Sequence, residues 1–340
     1  MGDVTLKRIF VLLSICVSLF SLDYENVQRS KAQATIESIQ GIEYIHNTET
    51  PLFPDKTVRC VADLSITSED KSGIVALFKP RLAYVDADEN IYFIEIGDQV
   101  IKIFDPDGRF IRTIGAKGSG PGEFQSIGFL ALQNRKLVVM DQGARRTNFF
   151  DLSGKFLRSF QWRPQYDRLI LVKENSFIVS EIVYSADRLS RQLCLKEVDS
   201  EGQERKIEGE FSAPEPKILR QGKYTIYFSS PVTTGSRFAG DEGRNRFYHC
   251  LNDQYVIEAY DASGRLFRKI ERPYMPVPFT AKDAKAYRES QARSGNEYIK
   301  KAVDEMEMPK NKSIVERMDV DDEGRLWIQT NEKKKKGTNG

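Results

Sequence analysis

Ile91-Tyr92-Phe93-Ile94, Val100-Ile101-Lys102-Ile103-Phe104 and Asp105-Pro106-Asp107-Gly108-Arg109-Phe110 form a module that the chain repeats in weakened form three more times. The second copy reads Leu137-Val138-Val139-Met140-Asp141, Thr147-Asn148-Phe149-Phe150 and Asp151-Leu152-Ser153-Gly154-Lys155-Phe156. The third keeps Phe177-Ile178-Val179 and Asp199-Ser200-Glu201-Gly202, and the fourth Phe247-Tyr248 and Tyr260-Asp261-Ala262-Ser263-Gly264-Arg265-Leu266. Self-similarity at about 40 to 50 residues denotes stacked supersecondary units, each too small to bury its own apolar face.

Within a copy, a strand-like run (Arg81 to Val85, or Gly128 to Leu132) leads through a polar turn to a second strand. A loop, a third strand, an Asp-Gly or Ser-Gly type turn and a fourth strand follow. Gly108, Gly154, Gly202 and Gly264 supply the positive φ of tight hairpins. Alternation in Ile101-Lys102-Ile103 and Phe110-Ile111-Arg112-Thr113-Ile114 marks strands with one buried face. Four short antiparallel strands per repeat amount to one blade of a β-propeller, so the predicted class is all-β. A β-sandwich has similar spacing but need not repeat its own sequence.

The segment Asp141-Gln142-Gly143-Ala144-Arg145-Arg146-Thr147-Asn148-Phe149-Phe150-Asp151 resembles the NHL-type propeller repeat, with Arg146 at the repeat's Arg position. The stretch from Gly115 to Phe124, GAKGSGPGEF, looks like the glycine-rich connection between such blades. Residues 41–330 as a whole resemble a family of secreted bacterial six-bladed propellers, largely uncharacterised. Glu95 and Leu251 depart from the repeat's Asp, and Val100 and Val256 from its Arg. About four full blades are present, and Met318 to Gln329 reads as the first half of a fifth. The resemblance implies two further strands and most of a sixth blade, so the chain reads as C-terminally truncated. It also implies a closing strand from the amino-terminal side, for which Thr57 to Leu64 is the candidate.

Two stretches interrupt the period. Glu208 to Gly235 holds a strand-like Tyr224 to Phe228 between prolines, and Pro273 to Lys312 contains a helical insertion around 280–308, opened by Thr280-Ala281-Lys282-Asp283.

The 340 residues carry 51 basic and 49 acidic side chains, a net charge of +2, which gives no field favouring nucleic acid. Lys7 and Arg8 precede the apolar run Ile9 to Leu22, the form of a signal peptide over residues 1–22. The mature start lies anywhere up to about residue 34, where Ala32-Gln33-Ala34 has the small-x-small form of a cleavage site. A short buried helix is the other reading of the run. The expected locations are periplasmic, cell-surface or extracellular, and no transmembrane anchor is expected after the signal segment. Residues 331–340 form a basic tail. Cys16, Cys60, Cys194 and Cys250 have wide, irregular spacing, which suits small buried hydrophobes better than a disulfide framework.

No catalytic set stands out. Two histidines, His46 and His249, cannot assemble a histidine-rich metal site, and no GxSxG elbow marks a nucleophile. No cofactor is called for, although Ca²⁺ held by oxygen ligands on separate blades stays open. In a propeller, the loops between second and third strands share one rim with the blade-to-blade connections. The binding candidates there are Asp98, Gln99, Lys117, Gln125, Asp141, Arg145, Arg146, Tyr184, Arg188 and Asp253, with Asn252 beside the last. For Arg146, pairing with Asp141 across the loop is the preferred expectation. The leading function is an exported, non-enzymatic propeller binding a protein, peptide or glycan. A Ca²⁺-dependent lactonase- or lyase-like enzyme is the alternative, and an RNA-binding NHL module a weaker third.

Overall fold

In a computed structural model of the chain, the described residues are 6–9, 17–22, 34–49, 61–66, 80–86, 88–133, 135–163, 166–173, 176–186, 190–199, 201–213, 217–221, 224–228, 230–293, 295–321 and 323–331. The chain divides into two compact units, residues 1–31 with 52–176 and residues 32–51 with 177–340.

Unit 1 holds two complete blades, each a four-stranded antiparallel sheet in sequence order. Blade 1 comprises Pro80–Val85, Ile91–Glu95, Val100–Phe104 and Phe110–Ile114; blade 2 comprises Ile127–Gln133, Lys136–Asp141, Arg146–Asp151 and Phe156–Gln161. The middle strands of both blades are buried nearly throughout; blade 2 covers one face of blade 1, and Ile91, Phe93 and Phe104 on the other face pack with Ile66. Tyr92, Ile94, Ile101 and Ile103 of the first blade share a core with Leu130, Leu137, Val139 and Phe150 of the second. Neither sheet could bury these faces alone. The apolar amino-terminal run is strand where described: Leu6–Ile9 pairs with Val17–Leu22, which pairs with Val61–Ile66. The buried-helix reading is therefore set aside for those residues.

The turn before each fourth strand is one local design. In all four copies the glycine N–H donates to the Asp carbonyl three residues back, at 2.9–3.1 Å. The Asp carboxylate then accepts the N–H four residues on, from Arg109, Lys155, Gln203 and Arg265 in turn. Gly108 and Gly154 lie at φ 81° and 91°. A register shift follows at Ile103/Phe104, Phe149/Phe150 and Ala259/Tyr260. The hairpin glycines are thus left-handed residues closing a turn with a bulge.

Unit 2 carries the third repeat's Phe177-led strand (Ser176–Tyr184), Arg191–Asp199 and Glu204–Ile207, then a hairpin of Lys217–Gln221 with Tyr224–Phe228. Blade 4 comprises Ser236–Asp241, Arg246–Leu251, Val256–Asp261 and Leu266–Glu271. Two helices follow, α1 (Ala281–Ala292) and α2 (Glu297–Glu305), within the helical insertion expected around 280–308. Thr280 and Asp283 form a reciprocal capping box, and Asn296 caps α2. The insertion is closed at its neck by Phe279 N–H to Lys310 O, by Lys312 N–H to Val277 O, and by a 2.7 Å Lys312–Asp283 ion pair. That ammonium, with the Thr280 bonds, holds the Asp283 carboxyl well below the usual range. The pair Val315–Val320 and Leu326–Thr330 supplies the expected half-blade. Among the described residues no helix is long and apolar enough to cross a membrane.

One feature was not expected. A hairpin of Thr35–Ile39 and Ile42–His46 extends blade 4 to six strands, with Ile42–His46 running parallel to the blade's fourth strand. The propeller's ordered strands thus begin before residue 41. The proposed closing segment lies outside the described residues at 57–60, and its remainder pairs with Val17–Leu22.

Candidate functional site

The rim candidates separate into residues that hold loops in place and residues left facing solvent. In blade 2, the Asp141 carboxylate is buried and accepts three backbone N–H groups, from Gln125, Ser126 and Ala144 at 2.9–3.2 Å. It fixes its own loop and the lead-in to its own first strand together. Arg146 does not pair with Asp141, contrary to expectation. Its guanidinium donates to the carbonyls of Ser119, Gly120 and Glu123, at 3.0, 2.7 and 2.8 Å. Once three N–H donors satisfy the carboxylate, the cation finds acceptors in the carbonyl-rich glycine connection.

Blade 1 lacks both residues and makes its tie by other means. Glu95, in the Asp position, accepts the Gly97 N–H at 3.1 Å. Gln99 is buried at φ 54°; its amide donates to Ile96 O and accepts the N–H of Ile127, the first residue of the next blade. In blade 4, Leu251 stands in the Asp position and Asn252, one residue on, does the work. Its amide accepts from Gly235 N and donates to Thr233 O, both at 2.9 Å, and its carbonyl receives the N–H groups of Ile314 and Val315. Gln99, Asp141, Arg146 and Asn252 therefore join loops to connections. In blades 1, 2 and 4, then, these loops bond directly to a connection.

Asp98, Lys117, Gln125, Arg145 and Asp253 are exposed, with Asp98 3.7 Å from the Lys102 ammonium and Gln125 donating to Ser119 Oγ at 2.9 Å. Arg188 lies outside the described residues. Tyr184 ends a nine-residue strand whose partner Arg191–Asp199 is equally long, against five or six residues for the second and third strands of blades 1, 2 and 4. Three more residues per strand lengthen this hairpin by about 10 Å. Near its end Val183 and Tyr184 are 44% and 56% exposed.

Sequence spacing hid one polar constellation. Ser236 Oγ lies 2.8 Å from His249 Nε2, and His249 Nδ1 lies 3.0 Å from Glu258 Oε2, on three successive strands of blade 4. Burial opposes ionisation of Glu258, but bonds from His249, Lys269 and Tyr260 outweigh it and bring the carboxyl down to about 2. The order of groups is that of a hydrolase triad. Its setting is not, because Ser236 and His249 are buried beside Phe211 and Phe238. Ser236 Oγ also accepts the Ser212 N–H, and the N–H groups of Gly235 and Ser236 are already bonded. The constellation ties strands together. No signal short of the strand register would have disclosed it. Cys194 and Cys250 are free thiols, and burial pushes Cys250 up to about 12, as suits a core residue. Among the described residues, no group of three or more His, Cys, Asp or Glu side chains is placed to hold a metal ion.

Repeated four-stranded sheets, left-handed turn glycines and loop-to-connection ties together define a β-propeller. More particularly, residues 81–227 match the model of the family described as DUF5128, a 6-bladed β-propeller. No curated protein matches the chain. Among solved structures, it is similar to a Bacteroides fragilis protein described as exported, at 13% identity and a TM-score of 0.39, over 68% of this chain and 59% of that one. The chain thus spans less than two thirds of that protein. It is also similar to virginiamycin B lyase of Staphylococcus aureus (10% identity, TM-score 0.34, 78% and 84% of the two chains). A third likeness is to Hsv2 of Kluyveromyces marxianus (10%, 0.39, 93% and 70%). The blade architecture rests on the sheets themselves and on the family match.

Proposed function

We propose that this chain is an exported propeller that binds a protein, peptide or glycan through its loop ends, with Tyr184 as principal anchor. The observation carrying this reading is the lengthened third-repeat hairpin, with two adjacent apolar side chains exposed near its end. An aromatic ring held on a paired strand gives large contact area for little ordering entropy, which is why Tyr recurs where binding energy concentrates. In the same compact unit, Asp253 is exposed beside the buried Asn252 and is a further contact. Export rests on the basic start and the apolar run from Ile9 to Leu22.

Peptide and glycan arrays probed with the full chain test this. Tyr184→Ala should weaken any positive by about tenfold or more. Leu157→Ala, a similarly exposed apolar site on blade 2, should change nothing. Silence on both arrays, or binding that Tyr184→Ala leaves intact, removes the proposal. Stoichiometric Ca²⁺ lost to chelator, together with lactonase turnover, would favour the enzyme instead.

A further inference from the structure

We propose that the hairpin of residues 35–46 is a proton-gated cover over the outer edge of blade 4, seated while His46 carries its charge. Fourth strands are the exposed edges of blades, and an uncovered edge offers a row of backbone donors and acceptors to any passing strand. Here the row is taken by the chain's own Ile42–His46, in a parallel register of only four pairs from Arg268↔Glu43 to Glu271↔His46. The hairpin's outer strand adds little apolar burial. Thr35–Ile39 is exposed throughout, with Ile36 at 63% and Ile39 at 47%. Seating therefore depends on polar ties.

Three such ties are present. Arg268 bridges to Glu43 at 2.6 Å, and Asn47 N–H reaches Glu271 O at 2.8 Å. The third is His46, whose Nδ1 meets the Glu271 carboxylate of the blade while Nε2 meets Glu37 Oε1 of the outer hairpin strand at 3.1 Å. An imidazolium donates from both nitrogens and satisfies both carboxylates. A neutral imidazole keeps one N–H, so one carboxylate then faces a lone pair. The other neighbours supply no substitute proton donor: the Tyr44 ring stacks on the imidazole at 6.3 Å, Arg268 is matched by Glu43, and Lys269 by Glu258 at 2.8 Å.

The bond to Glu271, followed by that to Glu37, raises the His46 pKa against the opposing effect of burial. A raised folded value stabilises the seated form fully below the ordinary His range, and that stability is lost as pH climbs through the raised value. Once the hairpin leaves, the outer backbone groups of Arg268 to Glu271 are open to another extended strand.

Backbone hydrogen exchange on the full chain, corrected for the intrinsic pH dependence of exchange, tests the gate between about pH 5.5 and about pH 8.5. Protection of residues 42–47 should fall by about tenfold relative to Phe156–Gln161, the fourth strand of blade 2. His46→Gln should show the low protection at both pH values. Glu271→Gln, which removes one carboxylate, should move the midpoint to lower pH. A wild-type fall no greater than that of residues 156–161 overturns the proposal. So does a pH response unchanged in His46→Gln, or a midpoint that Glu271→Gln leaves in place.

Discussion

Blades 2 and 4 have nearly the same strand lengths and turns, yet they secure their second loop with different chemistry. Blade 2 uses a buried carboxylate that gathers three N–H groups, and an arginine that gathers three carbonyls. Blade 4 has Leu251 and Val256 in those places and relies on the neutral amide of Asn252. The repeat conserves a mechanical requirement, namely that a loop be tied to the strand lead-in beside it. It does not conserve the group that meets the requirement.

The two ties should differ in strength. Asp141→Ala takes a buried, charged acceptor from three backbone donors at once and should cost about 3 kcal/mol, whereas Asn252→Ala should cost about 1–2 kcal/mol. Denaturant unfolding followed by exchange in each blade measures both. Equal losses would show that the charge adds nothing. Acid should separate the blades next. Glu258, held near 2 against an ordinary 4.5, contributes about 3 kcal/mol above pH 4.5, lost progressively as pH falls towards 2. Protection across Arg246–Asp261 should decline over that window, and Glu258→Gln should flatten the decline. An unchanged slope in the variant would remove Glu258 as its source. The smallest expected effect concerns the turns. Gly202→Ala meets open space and should cost only the left-handed penalty of about 1 kcal/mol. Gly264→Ala would bring a Cβ to 2.6 Å from Ile207 and should cost roughly 2 kcal/mol, read as a larger shift in unfolding midpoint. Identical costs would mean that Ile207 yields freely.

Much of this fold was legible because its signals are local. Alternating apolar residues, an Asp three positions before a Gly, and Thr280 three before Asp283 each fall within a few residues of one another. What stayed hidden depends on partners far apart in sequence. Thr35-Ile36-Glu37-Ser38-Ile39 carries no mark that its hairpin belongs beside Leu266–Glu271, since the deciding matches, Glu43 with Arg268 and His46 with Glu271, are 225 residues distant. Among the rim candidates, spacing could not tell Gln99, turned inward, from Asp98, turned out. Nor could it show that Asn252 inherits a duty one position after Leu251.

The Asp-to-Gly turns carry a last consequence. Each one is complete within five residues and borrows nothing from the rest of the chain. Gene duplication or deletion in steps of one repeat would hand every copy a finished corner, so the tally of modules can drift between relatives while each module still folds its own end.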